Sequence, residues 1–166
     1  MTQTAYPRFY TFVRKIAAST PGSWFLARVL PPLDRLTLQL SGGGATLTGL
    51  LAGVPVVMVT TTGAKSGKPR TAPLIPIRDR TDPMTFALIA SNWGQHHYPS
   101  WYFNLKADPL ATCSIGKESG AYMAHEATDA EYERFWGYAT DTYLGYAMYK
   151  QRAGRRIPIM VMTPRK

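Results

Sequence analysis

The strongest constraint on the fold of this chain is a series of short apolar runs, rich in β-branched residues, which begins near residue 54. Turn residues separate the runs, and each run has the length and composition of a strand. The predicted strands are Val54–Thr60, Thr71–Ile77, Thr85–Ala90, Ala111–Ile115, Ala121–Ala127 and Ile157–Met162. Strands of this number and length favour a compact β-barrel.

Helices are predicted beside these strands. The segment from Tyr98 to Ala107 suits a short helix that ends before Pro109, because proline disfavours helical geometry in the residue that precedes it. A longer helix starts at Thr128 and runs to about Asp141. Thr128 and the third residue after it, Glu131, have the spacing of a capping box at the helix N-terminus.

The N-terminal forty residues have a different composition from the rest. Between Tyr6 and Leu40, aromatic and aliphatic residues are mixed with isolated basic side chains, a pattern that favours two short helices, the second broken at Pro31-Pro32. The glycines at 42–44 then predict a flexible joint. We therefore expect an N-terminal helical extension over residues 1–44 and one barrel domain over residues 45–166.

The charge balance predicts an anionic partner. Lys and Arg total 19 against 10 Asp and Glu, which gives a formal net charge of +9. Nucleic acid, an acidic membrane surface and a polyanionic small molecule all fit this charge. The single cysteine, Cys113, has no partner for an intramolecular disulfide, and no Cys/His cluster has zinc spacing, so no metal centre is expected. With no secretory signal or spanning segment recognised, we expect a cytoplasmic protein.

The sharpest local motif is TTTGAKSGKPR at residues 60–70, a strand that enters a glycine-flanked basic turn and leaves it as another strand. Glycines let backbone donors approach a ligand, Ser66 offers a hydroxyl, and Lys65, Lys68 and Arg70 supply charge for phosphate or carboxylate groups. The motif is not a P-loop, because Pro69 and an extended run follow it where a helix is required. It therefore predicts an anion clamp, with a solvated basic hairpin as the alternative.

Two more motifs follow, ASNWG at residues 90–94 and PSWYFNLKADP at residues 99–109. In this order and spacing, the three motifs resemble those of the deazaflavin-dependent nitroreductase family of actinobacteria. The resemblance covers about Leu50 to Met162. It implies an α+β fold built on a split β-barrel related to the flavin mononucleotide-binding barrels, with flanking helices.

The resemblance also implies a cofactor, an activity and a site. The cofactor is coenzyme F420, and the reduced form, F420H2, gives a hydride to a small organic acceptor: a quinone, an activated enone or a nitroaromatic. The basic turn meets the phosphate and acidic tail, and the following strand and the other two motifs surround the ring. The implied cofactor-binding residues are Ala64, Lys65, Ser66, Arg70, Thr71, Ala72, Pro73, Leu74, Ile75, Ile89, Ala90, Ser91, Asn92, Ser100, Trp101, Tyr102, Phe103 and Asn104.

Three tyrosines near the C-terminus complete the predicted site. Tyr143, Tyr146 and Tyr149 recur every three residues, which places them on roughly one helical face. In the family, tyrosines with this spacing lie over the deazaflavin and face the substrate, so Tyr146 is the best candidate for a hydrogen-bond donor to the reducible group. A buried aromatic stripe that packs the helix on the barrel is the alternative reading.

One departure from the family and several alternatives stay open at this point. Many members carry a lysine after the Ala-Ser pair, where this chain has Asn92, and this puts the pocket shape and the substrate in doubt. A basic turn also accepts the phosphate of flavin mononucleotide (FMN). Basic charge with interleaved aromatics also fits a nucleic-acid-binding module. The N-terminal forty residues fit either a helical cap or a contact with an anionic membrane, and related barrels often pair into homodimers.

Overall fold

The structure is a computed structural model that describes residues 55–116, 118–143 and 145–165, together with the single residues Val29, Leu33 and Thr37. These three residues are helical, and the Thr37 hydroxyl donates a hydrogen bond to the Leu33 carbonyl at 3.1 Å. The other residues of the predicted 1–44 extension, and its boundary with the barrel, lie outside the described residues.

In the described ranges, seven strands form one antiparallel sheet. Its order is β2-β1-β5-β6-β7-β4-β3. The strands are β1 (Val57–Thr62), β2 (Pro69–Leu74), β3 (Ile77–Arg78), β4 (Phe86–Ile89), β5 (Leu110–Ile115), β6 (Glu118–Glu126) and β7 (Ile159–Pro164). The predicted run Thr71–Ile77 is thus divided between β2 and β3, because Pro76 has no backbone N–H to continue a ladder.

The connection between β2 and β3 closes the sheet into a barrel. These strands lie at opposite ends of the strand order, yet only Ile75 and Pro76 separate them in sequence. A flat sheet would hold its outer strands about 29 Å apart, at about 4.8 Å per strand. Three Cα–Cα steps from Leu74 to Ile77 span at most about 11 Å. The sheet must therefore curl until its edges approach, which confirms the predicted α+β split barrel.

Three helices accompany the sheet in the described residues: α1 (Ser100–Ala107), α2 (Asp129–Thr142) and α3 (Gly145–Ala153). Thr128 is the N-cap residue of α2, but its side chain makes no capping hydrogen bond, so the predicted capping box is wrong. The Glu131 carboxylate instead contacts His125 at 2.9 Å. None of the described helices combines the length and apolar character needed to cross a membrane.

The sheet separates two hydrophobic cores. On β4, Phe86 and Leu88 face the first core, which also contains residues of β1, β5 and α1. Ala87 and Ile89 face the second core, which contains residues of α2 and α3. Strand β7 alternates in the same way. Both strands are buried on both faces, and for this reason they read as continuous apolar runs in the sequence.

The buried cysteine gives a test of the first core. Burial raises the pKa of the Cys113 thiol on β5 to about 12. A thiol in an unfolded chain has a pKa near 8.5, so at pH 8 the native protein should react with a thiol reagent about a thousandfold more slowly than the unfolded protein. Absorbance with Ellman's reagent, with and without denaturing urea, measures the ratio. Rapid labelling of one thiol per chain without urea would contradict the burial.

Candidate cofactor-binding site

The basic turn, Gly63–Lys68, is closed by its own backbone. The Gly63 carbonyl accepts hydrogen bonds from the N–H groups of Ser66 at 3.1 Å and Gly67 at 2.8 Å, and the Gly63 N–H donates to the Lys68 carbonyl at 2.9 Å. A Cβ atom on Gly63 would lie 2.6 Å from the Ser66 hydroxyl oxygen, and Gly67 has a φ of +63°. Glycine is therefore favoured at both positions, one for space and one for backbone conformation.

Asn104 of α1 holds the turn in place. Its side-chain oxygen accepts a hydrogen bond from the Ala64 N–H at 3.0 Å, and its side-chain nitrogen donates to the Thr61 hydroxyl at 3.0 Å. Asn104 and Thr61 are both buried. The amide thus satisfies two polar groups from separate elements, and its direct effect is on the shape of the basic turn.

Three cations project from this turn and from the start of β2. Lys65, Lys68 and Arg70 are all exposed. Among the described residues none of them takes part in an ion pair, although other basic side chains, such as Arg80 and Arg134, do. Three exposed positive charges on the turn and the adjacent start of β2 give this surface the charge that binding a phosphate or several carboxylates would require.

Strand β2 leads from the turn towards the second core. The Thr71 hydroxyl is 2.9 Å from that of Thr60 on β1. Ala72 and Leu74 pack against the first core, and Pro73 between them is half-buried. Ile75 packs against the second core. The predicted strand residues therefore pass from the cationic turn to the far face of the sheet.

The residues at the end of β4 lie between the two cores and the loop that follows this strand. Ile89 belongs to the second core and Ala90 to the first, and Ser91 is buried. Asn92 follows with a φ of +47°, and its side-chain nitrogen donates to the His97 carbonyl at 3.2 Å. Asn92 thus closes its own loop at the position where many members of the resembled family carry lysine.

Helix α1 carries five of the predicted site residues, of which two are exposed and three are buried. Trp101 and Tyr102 are buried in the first core, whereas Phe103 is 51% exposed and Ser100 is exposed. The Tyr102 hydroxyl donates to the Glu126 carboxylate at 3.1 Å, and burial together with this carboxylate raises the pKa of Tyr102 to about 12. These side chains fix the helix that carries Asn104.

Tyr143, Tyr146 and Tyr149 form a tyrosine cluster in the second core, all of them buried. Their rings lie 5.6 to 6.2 Å apart between centroids, in edge-to-face or tilted pairs. The prediction of one helical face is wrong, because Tyr143 is the extended C-cap of α2 while the other two lie on α3. The rings meet because the chain turns between these helices.

The three hydroxyl groups differ in their partners. The Tyr143 and Tyr149 hydroxyl oxygens are 3.3 Å apart. The Tyr146 hydroxyl has no hydrogen-bond partner in the part of the chain that the structure describes. Among the described residues, no side-chain nitrogen or oxygen that is closed off from solvent lacks a partner, so the Tyr146 oxygen keeps some solvent-accessible area although the residue is only 5% exposed. Burial raises the pKa of Tyr146 and keeps its proton in place.

The second core brings part of the predicted site together. Ile89 belongs to the core that contains the tyrosine cluster, Ile75 and Trp93 pack against that core, and the Trp93 and Tyr149 rings lie 6.4 Å apart. The basic turn instead contacts α1. The predicted residues therefore form two groups, one at the basic turn and one at the second core, and strand β2 connects them. No group of three or more metal-ligating side chains occurs within the described ranges. Thr61 and Arg155 were not predicted from the sequence, because they contact residues that are far away along the chain.

Comparison with known proteins adds a family. The family model described as F420H(2)-dependent quinone reductase matches residues 36–164. An F420H(2)-dependent quinone reductase of Mycobacterium tuberculosis (strain H37Rv) is 33% identical over 114 residues, which are 67% of this chain and 74% of that protein.

Two solved structures are also similar. One, described as an F420-H2 dependent reductase (FDR-A), has a TM-score of 0.59 and 38% identity, over 65% of this chain and 93% of its own. Another, described as a domain-swapped dimer, has a TM-score of 0.61 and 32% identity, over 86% of this chain and 99% of its own.

The role of Asn104 can be tested by Asn104→Ala. The change leaves the Ala64 N–H and the Thr61 hydroxyl without their partner, and we expect it to lower the free energy of unfolding by about 1–3 kcal/mol. Urea denaturation measures this difference. Lys106→Ala on the same helix breaks an exposed ion pair with Glu126 and should cost less than about 1 kcal/mol. Equal costs for the two variants would contradict the structural role of Asn104.

Proposed function

The chain belongs to the F420H2-dependent quinone reductase family, and from this premise we propose how its own residues carry out the reaction. The basic turn with Arg70 binds the acidic end of F420, and the tyrosine cluster with Ile75, Ile89 and Trp93 borders the space for the ring and a quinone-type acceptor. The observation that carries the proposal is the set of three exposed, unpaired cations at one end of the site and an unpartnered tyrosine hydroxyl at the other.

The described residues fit F420. Its phosphate and carboxylates form a polyanionic end, and the turn presents Lys65, Lys68 and Arg70 with no carboxylate competing for them in the described ranges. Its ring end is planar, and the aromatic and branched side chains of the second core suit a flat apolar surface. FMN has a single phosphate and needs fewer cations, so the charge of the turn favours F420.

When bound, F420H2 supplies the hydride. The protein orients the acceptor against the ring, excludes water with Ile75, Ile89 and Trp93, and supplies a donor where negative charge develops on the acceptor oxygen. Tyr146 is that donor. Its hydroxyl holds its proton because burial raises the pKa above the ordinary value near 10, and no described protein group competes for the hydrogen bond.

The neighbour described as a domain-swapped dimer supports a homodimer as a further part of the proposal. A contact of residues 1–44 with an anionic membrane lies outside the described residues and receives no support from them. Light scattering coupled to size-exclusion chromatography tells monomer from dimer. A mass of one chain, 18.4 kDa, across the working concentration range would rule the dimer out.

The basic turn can be tested by Lys65→Ala and Arg70→Ala. Each change removes a charge-assisted contact, so F420 affinity should fall about tenfold or more, and the affinity of the wild type should fall as salt rises. Tryptophan quenching at two salt concentrations measures both effects, with FMN as the competing ligand. Arg80→Ala removes an equal charge from an exposed ion pair elsewhere and should leave affinity unchanged. Preference for FMN would overturn the assignment of the cofactor.

The donor role of Tyr146 can be tested by Tyr146→Phe, which removes only the hydroxyl. We expect kcat with a quinone to fall about tenfold or more while the F420 dissociation constant stays within about twofold, because the hydrogen bond forms as charge develops. Stopped-flow loss of F420H2 absorbance gives the rate. Tyr138→Phe removes a hydroxyl on α2 outside the cluster and should leave both values unchanged. Equal rates for all three proteins would exclude Tyr146 as the donor.

A further inference from the structure

The loop that follows β4 has an unfavourable backbone conformation. Asn92 and Trp93 have φ values of +47° and +59°, and Gly94 follows with +76°. The left-handed region is unfavourable for residues with side chains, and more so for Trp93 than for Asn92, so the loop needs contacts that hold it in this form. The proposed function places this loop beside the cofactor ring, since it begins at Ala90 and Ser91.

The C-terminal end of α3 supplies some of these contacts. The His96 ring nitrogen Nδ1 lies 3.0 Å from the Ala153 carbonyl, and Arg152 donates to the Trp93 carbonyl at 3.4 Å. A Cβ atom on Gly94 would lie 3.2 Å from the Cα of Tyr149, so the loop and α3 are in direct backbone contact. The same helix carries Tyr146, and the loop and the proposed donor therefore share one support.

Arg155, just after α3, makes the largest set of contacts. Its Nη2 donates to the carbonyls of Ala90 at 3.3 Å and His97 at 3.0 Å, and its Nε donates to that of Gln95 at 3.2 Å. Its Nη1 donates to the Arg156 carbonyl at 3.1 Å. The guanidinium carbon also lies 4.2 Å from the centre of the Tyr98 ring. One side chain thus ties together both ends and the middle of the loop.

The charge of Arg155 is not used in an ion pair with any described residue. Partial burial lowers the pKa of its guanidinium, so keeping the cation here has a cost. Four carbonyl oxygens and an aromatic face offset that cost. This arrangement needs the planar group with several N–H donors that arginine has, whereas lysine has a single nitrogen that cannot reach carbonyls on different sides.

We propose that Arg155 is a positioning residue for hydride transfer, which fixes the 90–98 loop so that Ala90 and Ser91 hold the cofactor ring at the correct angle to the acceptor. The inference rests on the proposed function. Arg155 belongs to neither the basic turn nor the tyrosine cluster. Its loss should therefore affect the orientation of the ring more than the binding of the acidic tail, and a small misplacement of reacting groups can cost about a hundredfold in rate.

The test compares Arg155→Lys and Arg155→Gln with Arg156→Lys and Arg156→Gln. Arg156 is the exposed next residue, its guanidinium lies over the Tyr132 ring at 4.3 Å, and only its backbone carbonyl contacts Arg155. In each pair the Lys variant keeps the charge and the Gln variant removes it, so the two pairs make the same changes with and without the loss of the loop contacts. Hydrogen–deuterium exchange of the 90–98 peptide in protein without cofactor measures the loop, F420 titration measures affinity, and single-turnover oxidation of F420H2 by a quinone measures the rate.

For both Arg155 variants we expect hydrogen exchange in the 90–98 peptide to be faster by at least about fivefold and the hydride-transfer rate to fall by about tenfold or more. We expect F420 affinity to stay within about threefold of that of the wild type. Both Arg156 variants should match the wild type in all three. Full activity in Arg155→Lys would overturn the inference, because charge alone would then suffice, and so would unchanged exchange in the loop. No F420H2 oxidation by the wild type would instead overturn the proposed function.

Discussion

The two-residue connection between β2 and β3 is the constraint on which the rest of this structure depends. Because Ile75 and Pro76 join the two outermost strands of a seven-stranded sheet, the sheet has to curl, and its two faces become an inside and an outside. The inside is filled by the first core and closed by α1. The outside is covered by α2 and α3. Ile75 lies at the point where the chain passes from one face to the other, so the proposed site extends from the cationic turn to the tyrosine cluster.

Each end of the proposed site is held by a polar side chain that hydrogen-bonds to other groups of the protein. Asn104 joins α1 to the turn through Ala64 and Thr61, and Arg155 joins the end of α3 to the loop after β4. In both cases a residue on or beside a helix supports an irregular segment. Regular elements thereby position irregular ones, which is the usual requirement for a precise binding site.

Much of the fold was predictable from sequence, because the strands alternate with clear turn signals. Five of the six predicted strands match observed ones within a few residues, and the exception is the run from Thr71, which Pro76 divides. The family motifs led to the cofactor and the reaction class. The tyrosine spacing predicted a shared location but gave the wrong geometry, because Tyr143 ends one helix and the others lie on the next. Arg155 could not be predicted, since its partners at 90, 95 and 97 are about sixty residues away and are backbone atoms, which leave no pattern in the sequence.

The two prolines of β2 remove backbone hydrogen-bond donors from the outer edge of this strand. In its antiparallel pairing with β1, Pro69 lies opposite Thr62 and Pro73 opposite Met58, and since proline has no N–H, these positions face away from the ladder. Of the outward positions 69, 71 and 73, only Thr71 therefore has a hydrogen to donate. An incoming strand, whether β3 of the same molecule or an edge of another, finds too few donors to pair with. β2 and β3 accordingly do not pair, and the missing donors on β2 disfavour edge-to-edge aggregation through this strand.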